Sequence, residues 1–348
     1  MVSQRSPMKE LTRSEAIVLR SLLACEDVRE SERARRTGLP SRTVEEVRRR
    51  CYGEGWVFDR YVPNPVSLRT PLVSFAFARP YADKVLEVTR TFEELDGGVL
   101  LWKWPDTLFS VSWSSAPEEL ARQESLIAPS SNLTFNLTVD TRKAQVPVYF
   151  DFEGSWSRLT GQSGATSYPH SLPGELGPAV VLGGQERMGV TELIRRPFEG
   201  PTPGPLRVSA YFLPRSQQRL LRDGKVQRRT FLDPSAVPPY EGRSVEQIAF
   251  THGSLKPGRS VDGLFGRLAA IHVTPFLLVS DGTHVLLGAV SPAPSPRPTD
   301  GPRPAVLANM EDFLQEIEIV RNRASDLRVI ANHRYDRLIV GDGPVQPL

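Results

Sequence analysis

One stretch of this chain occurs twice, and the repetition limits the architectures open to it more than any other feature. Glu54-Gly55-Trp56-Val57-Phe58-Asp59-Arg60-Tyr61-Val62-Pro63-Asn64-Pro65 aligns without a gap to Asp223-Gly224-Lys225-Val226-Gln227-Arg228-Arg229-Thr230-Phe231-Leu232-Asp233-Pro234. An acid-glycine pair, a valine, a basic residue and a final proline recur at the same places. Glycine after an acid is a helix exit, because glycine adopts the left-handed backbone that ends a helix. The β-branched and aromatic run behind it reads as a strand. A helix exit and strand used twice predict a tandem duplication.

Upstream of the first copy lie three helix candidates. Leu11, Ala16, Ile17, Leu19, Leu22 and Leu23 mostly share one stripe, with Thr12 and Glu15 spaced as a capping box. Arg29 to Arg36 is a second, charged helix, stopped by Gly38. Pro40 allows a sharp turn, and Ser41 is the expected N-cap of a third helix in which Val44, Val47 and Cys51 face inward. Three short helices with a tight turn before the last predict a helix-turn-helix, and Trp56 to Val62 its wing strand. Ser41, Arg42 and Thr43 sit on the first turn of the recognition helix, where side chains reach base edges; Arg42 suits a bidentate contact to guanine. Arg48, Arg49 and Arg60 are placed to hold phosphates. In the second copy, Leu213 to Arg222 takes the place of the recognition helix. Arg215, Arg219, Arg222, Lys225, Arg228 and Arg229 make it locally basic, although Pro201, Pro203 and Pro205 break what precedes it.

Behind each copy the pattern changes to α+β. Leu72 to Ala78 reads as a strand, Tyr81 to Leu95 as a helix, and Val99 to Trp104 with Leu108 to Trp113 as a hairpin about Pro105-Asp106. Pro117 to Ser125 starts another helix, and a further strand lies at Leu133–Leu137 or Val146–Phe150. This βαββαβ order is ferredoxin-like. It recurs as a strand at Gln247–Thr251, a helix at Val261–Ala270, a hairpin about Asp281-Gly282, a helix at Ala308–Arg323 and a closing strand at Arg328–Ala331. The expected fold class is therefore α+β, a winged helix-turn-helix followed by a ferredoxin-like domain, the pair repeated. The expected boundaries are 1–66 and 67–154, a Gly/Ser/Pro linker at 155–187 with a short strand at Ala179–Leu182, then 188–240 and 241–348. Pro292 to Pro304 is a proline-rich insertion.

Gly38-Leu39, Val44, Val47-Arg48-Arg49 and Glu54-Gly55-Trp56-Val57 resemble the recognition helix and exit of Lrp/AsnC-type winged-helix regulators. The ferredoxin-like unit behind them strengthens the resemblance, since that family carries one for dimerisation and effector binding. The resemblance implies transcriptional regulation, double-stranded DNA as partner, a small-molecule effector, and either a homodimer or a pseudo-dimeric monomer. The family's glycine-rich ligand-loop pattern is missing here, so nothing in the sequence names an amino-acid effector. Siroheme decarboxylases are built on a similar plan, with histidine and arginine acting on tetrapyrrole carboxylates, but their histidine motifs do not recur at matching positions.

Composition fits this picture and excludes several others. A net charge of +3, with 39% hydrophobic and 24% charged residues, confines any basic footprint to a local patch. Cys25 and Cys51 fall on or beside apolar helix positions and read as core thiols. No apolar run is long enough to span a membrane. Met1 to Glu10 has no apolar signal region, so the expected location is the cytoplasm. His252, His272, His284 and His333 gather in the C-terminal unit without metal-ligand spacing. No cofactor, metal site or catalytic residue is expected. Trp102, Trp104, Trp113 and Phe109 are read as core or interface.

Overall fold

The computed structural model describes residues 10–24, 30–64, 66–95, 97–119, 121, 125, 131–142, 148–160, 182–195, 213–238, 240, 247–270, 274–291 and 310–339. The chain opens with α1 (Arg13–Ala24), α2 (Glu30–Thr37) and α3 (Ser41–Gly53). The expected capping box starts α1: Thr12 N–H donates to Glu15 Oε2 at 2.7 Å, and Glu15 N–H to Thr12 Oγ1 at 3.2 Å. Gly38 ends α2 at φ 68°. The turn differs from expectation in one respect. Pro40 occupies the cap of α3, at φ −57° and ψ 140°, with no side-chain cap hydrogen bond, so Ser41 is a first-turn residue. Val44, Val47 and Cys51 are buried on the inner face of α3, which packs on α1 and α2. Cys51 is a core thiol, its pKa pushed up to about 12 by burial. Cys25 lies outside the described residues.

The strand β1 (Val57–Pro63) is not a free wing. It pairs antiparallel along its whole length with β7 (Val226–Leu232), its counterpart in the repeat. Its backbone groups on that edge are satisfied by the other copy. The register places Arg60 opposite Arg229, the residue with which the repeat alignment matches it. A pseudo-two-fold axis therefore passes through this ribbon. The first helix of each copy crosses to the other copy's strand: α1 packs on β7, and α6 (Gly184–Arg195) on β1.

Two five-stranded sheets form the body. One has the order β12-β3-β4-β2-β5 and the other β11-β8-β10-β9-β6. The first uses β2 (Leu72–Pro80), β3 (Gly98–Lys103), β4 (Leu108–Ser114) and β5 (Ser131–Asp140); the second uses β8 (Gln247–Leu255), β9 (Thr274–Ser280), β10 (His284–Ser291) and β11 (Leu314–Arg323). Each sheet takes its remaining edge strand from the other half. The edge strand β6 (Val148–Phe150) lies on β9, and β12 (Arg328–Ala331) on β3. Arg328–Ala331, expected to close the second sheet, thus closes the first, and neither sheet is one contiguous segment. The helix expected at Ala308–Arg323 is also corrected. From Leu314 onward the chain is β11, paired with β8 through a bulge between Gln315 and Glu318, with Glu316 at φ 54°. The extra residue reverses the alternation of faces, so Leu314 packs in the outer layer with Leu264 and Leu268 while Val320 joins the core between the sheets, and the apolar positions depart from a strand's strict period of two.

Aromatic inner faces hold the sheets together. Trp102 packs against Phe109, Phe152 and Phe276, and Phe250 against Phe77, Phe109 and Trp104. Trp104 donates its indole N–H to the Arg323 carbonyl at 3.0 Å. These rings, with Trp113, are core, as read. The outer faces are covered by α4 (Val85–Glu94), through Val88 and Phe92, and by α8 (Val261–Ala270), through Leu264 and Leu268. The stretch read as a linker is entered by α5 (Phe152–Thr160) and left by α6. Residues 161–181, hence nearly all of the short strand expected at Ala179–Leu182, lie outside the described residues. So do the Pro292–Pro304 insertion, His272 and residues 120 and 122–124 of the expected helix at Pro117–Ser125, whose described residues are helical.

Candidate nucleic-acid interface

The two recognition positions are built alike at their C-terminal ends. In α3 the cap residue Glu54 has φ −85° and ψ 0°; in α7 (Arg215–Arg222) the cap residue Asp223 has φ −82° and ψ 5°. Gly55 and Gly224 follow at φ 71° and 69°. The three hydrogen bonds closing each exit match. Glu54 N–H donates to Arg50 O at 2.8 Å, Gly55 to Tyr52 O at 3.2 Å and Trp56 to Cys51 O at 2.9 Å; Asp223 donates to Arg219 O, Gly224 to Leu221 O and Lys225 to Leu220 O at the same three distances. Acid-Gly therefore codes one turn twice. At the other end each helix starts on Leu-Pro, Leu39-Pro40 and Leu213-Pro214.

Outward from α3 point Ser41, Arg42, Glu45, Glu46, Arg49 and Arg50. Arg42 pairs with Glu46 at 3.0 Å and Arg49 with Glu45 at 3.3 Å, the Arg42 side chain being 90% exposed. Such exposed pairs contribute about 0–1 kcal/mol, so a phosphate or base edge displaces them at little cost. Arg50 reaches back to Glu15, which is buried. Burial alone would raise the Glu15 pKa, but the N–H and hydroxyl of Thr12 and the Arg50 guanidinium outweigh it and hold the carboxyl below its usual range. From α7 point Arg215, Arg219 and Arg222, the last two sharing Asp223 at 3.3 and 3.5 Å.

The other basic residues singled out in the sequence are placed differently. Arg48 bonds Glu30 at 2.6 Å with its side chain 21% exposed, joining α3 to α2. Lys225 bonds Glu186 on α6. Arg228 bonds Asp59 at 2.6 Å inside the ribbon, and the same carboxylate accepts from Thr230 and Tyr52. These three are tied to carboxylates within the fold rather than turned outward. Thr43 is half-buried. Arg60 and Arg229 are half-buried at the axis, Arg60 lying over the Phe58 ring at 4.9 Å.

Sequence reading missed a buried polar cluster where the ribbon meets the body. Glu153, in the first turn of α5, accepts from the Leu232 N–H at 3.2 Å. Burial pushes its carboxyl up to about 7, with Asp151 pushing the same way and Arg229 pulling back. His333, at φ 49°, stacks on Phe231 with ring centroids 3.7 Å apart. Burial, and then Arg229 and Arg60, hold its pKa well below the usual value. Asn332 donates to the Leu232 carbonyl at 3.3 Å. The partners lie far apart in sequence, so no local motif betrays the cluster. His252 and His284 sit elsewhere, with ring centroids 6.1 Å apart and Asp281 on His284 Nδ1 at 3.1 Å. Among the described residues no three His, Cys, Asp or Glu side chains could hold a metal, and no helix is long and apolar enough to cross a membrane.

The sequence matches no known protein-family model and no curated protein. Among solved structures, the chain is similar to the siroheme decarboxylase NirDL at 11% identity, over 93% of this chain and 96% of that one, with a TM-score of 0.49. It is similar to E. coli AsnC at 14% identity, over 38% and 91%, with a TM-score of 0.31. The leucine response regulatory protein LrpA of Mycobacterium tuberculosis has 20% identity over 37% and 90%, with a TM-score of 0.30.

Proposed function

We propose that the chain is a DNA-binding transcriptional regulator, a pseudo-dimer in which both helix-turn-helix units come from one polypeptide. One observation carries the reading: two helices with matching exits, related across the Arg60–Arg229 ribbon, each turn arginines outward. Helix-turn-helix proteins use such pairs on successive major grooves, and their arginines displace counterions from phosphates. The partner is double-stranded DNA, and the paired sheets serve as the dimer-like body. Fluorescence anisotropy with a labelled mixture of genomic duplexes tests this. Affinity is expected to fall at least tenfold between about 50 and 200 mM salt; weak binding that does not respond to salt would sink the proposal.

A second reading, an enzyme acting on tetrapyrrole carboxylates, has support from the axial cluster. Arg60 and Arg229 are cations beside a neutral imidazole and a carboxyl that titrates near neutrality, the groups that carboxylate chemistry uses. Titration with an iron-uroporphyrin discriminates: a shifted porphyrin absorbance band abolished by His333→Ala favours the enzyme, and an unchanged spectrum favours the regulator.

A further inference from the structure

We infer that the two helix-turn-helix units divide the work of binding, the first reading base sequence and the second gripping phosphates, so that the target duplex is half specified and half unspecified. The inference rests on the DNA-binding reading above. It comes from carrying the repeat alignment backward through the two helices. Cys51 then matches Leu220, and Val44 matches Leu213; all four are buried, so the helices share one rotational setting. Yet α3 has 13 residues and α7 has 8. The whole difference falls at the N-terminal end, because the exits coincide. Pro214, which caps α7, stands at the position of Glu45, and the sequence matches of Ser41, Arg42 and Thr43 are Ala210, Tyr211 and Phe212. The first turn of a recognition helix is the part that meets base edges. The second copy begins its helix after that turn.

The exposed chemistry divides the same way. Within the shared span, α3 presents Glu46, Arg49 and Arg50 where α7 presents Arg215, Gln218 and Arg219, and Arg222 of α7 replaces Gly53. A surface mixing arginine with exposed Glu45 and Glu46 suits bases, since Arg pairs with guanine O6 and N7 while Glu accepts from cytosine N4. Carboxylates repel phosphates. Within its helical span α7 exposes three arginines and no carboxylate, Asp223 standing at its exit; a surface so weighted suits phosphates and carries no sequence information.

The test selects duplexes from a random pool with the full chain, then measures two variants on the selected duplex and on a scrambled one across salt concentrations. The selected sequences are expected to share one half-site with no consensus in the neighbouring turn of DNA. Arg42→Ala is expected to weaken the selected duplex about ten- to a hundredfold and the scrambled one little. The triple variant Arg215→Ala, Arg219→Ala, Arg222→Ala is expected to weaken both duplexes equally and to flatten the logarithmic salt slope by about 2–3. All four side chains are exposed, and thermal melts confirm that the variants fold. A two-fold symmetric consensus, or loss of discrimination in the triple variant, overturns the division alone. Absence of salt-sensitive binding to any duplex overturns the DNA reading and the division with it.

Discussion

Glu153 and His333 set opposite demands on pH at one junction. A carboxyl that titrates at about 7 in the fold rather than near 4.5 makes the fold lose stability as pH rises from about 4.5 through 7. At about 1.4 kcal/mol per unit, the loss is about 3 kcal/mol. His333 is held neutral, so it costs stability as pH falls below about 6.5. Between about 4.5 and 6.5 the two slopes oppose each other. Glu153→Gln keeps an acceptor for the Leu232 N–H and removes one slope. The variant is expected to gain stability relative to the parent as pH rises, by about 3 kcal/mol between pH 4.5 and 7. Denaturant midpoints at half-unit pH intervals check this, and a constant offset between the two proteins would refute it. Neither role was legible in the sequence. Glu153 follows an unremarkable strand, and its partner Leu232 lies on a different element, so only the fold brings the two together.

At the level of elements, what depends on neighbours in sequence was readable and what depends on distant pairing was not. The capping box at Thr12 and Glu15, the Gly38 stop and the doubled Acid-Gly exit are local, and each is present. The exits make a quantitative expectation. Gly55 and Gly224 have positive φ, and an added Cβ meets nothing within 4 Å at either. Gly55→Ala and Gly224→Ala should therefore each lower unfolding free energy by the left-handed backbone cost alone, about 1–2 kcal/mol, and by similar amounts. Gly97→Ala is the contrasting case. Its Cβ would lie 2.0 Å from the Trp113 carbonyl oxygen at φ 73°, so a loss of about 3 kcal/mol or more is expected. Chemical denaturation of the three variants ranks them. The misread helix at Ala308–Arg323 marks the limit of local reading. Periodicity alone cannot see a bulge, and the unpaired edge of β8 decides the outcome.

For the whole molecule, the repeat announced two copies but not their interlocking. An edge strand such as β6 or β12 carries no mark of which sheet it will join. Because each half completes the other's sheet, the halves should be interdependent. A chain divided after Gly164 is expected to reassemble when its two parts are co-expressed and to yield neither part as a soluble monomer when they are expressed separately. Size-exclusion chromatography distinguishes these outcomes; a monodisperse first half with native circular dichroism would contradict the interlock. The fused arrangement also leaves α3 and α7 free to differ. In a homodimer one substitution alters both half-sites, whereas here Arg215 and Glu46 occupy matched positions with opposite charge.

The placement of β12 against β3 also governs when the protein can become competent during synthesis. The first sheet is otherwise complete once Asp140 has left the ribosome, but its β3 edge stays open until Arg328–Ala331 emerge. At about 5–20 residues per second that interval is on the order of 10–40 s. Throughout it the nascent chain carries a finished α3 on an unfinished body, its strand edge open to chaperones or to a neighbouring nascent chain on the same message. Translation speed across the second half thus bears directly on how the first half matures.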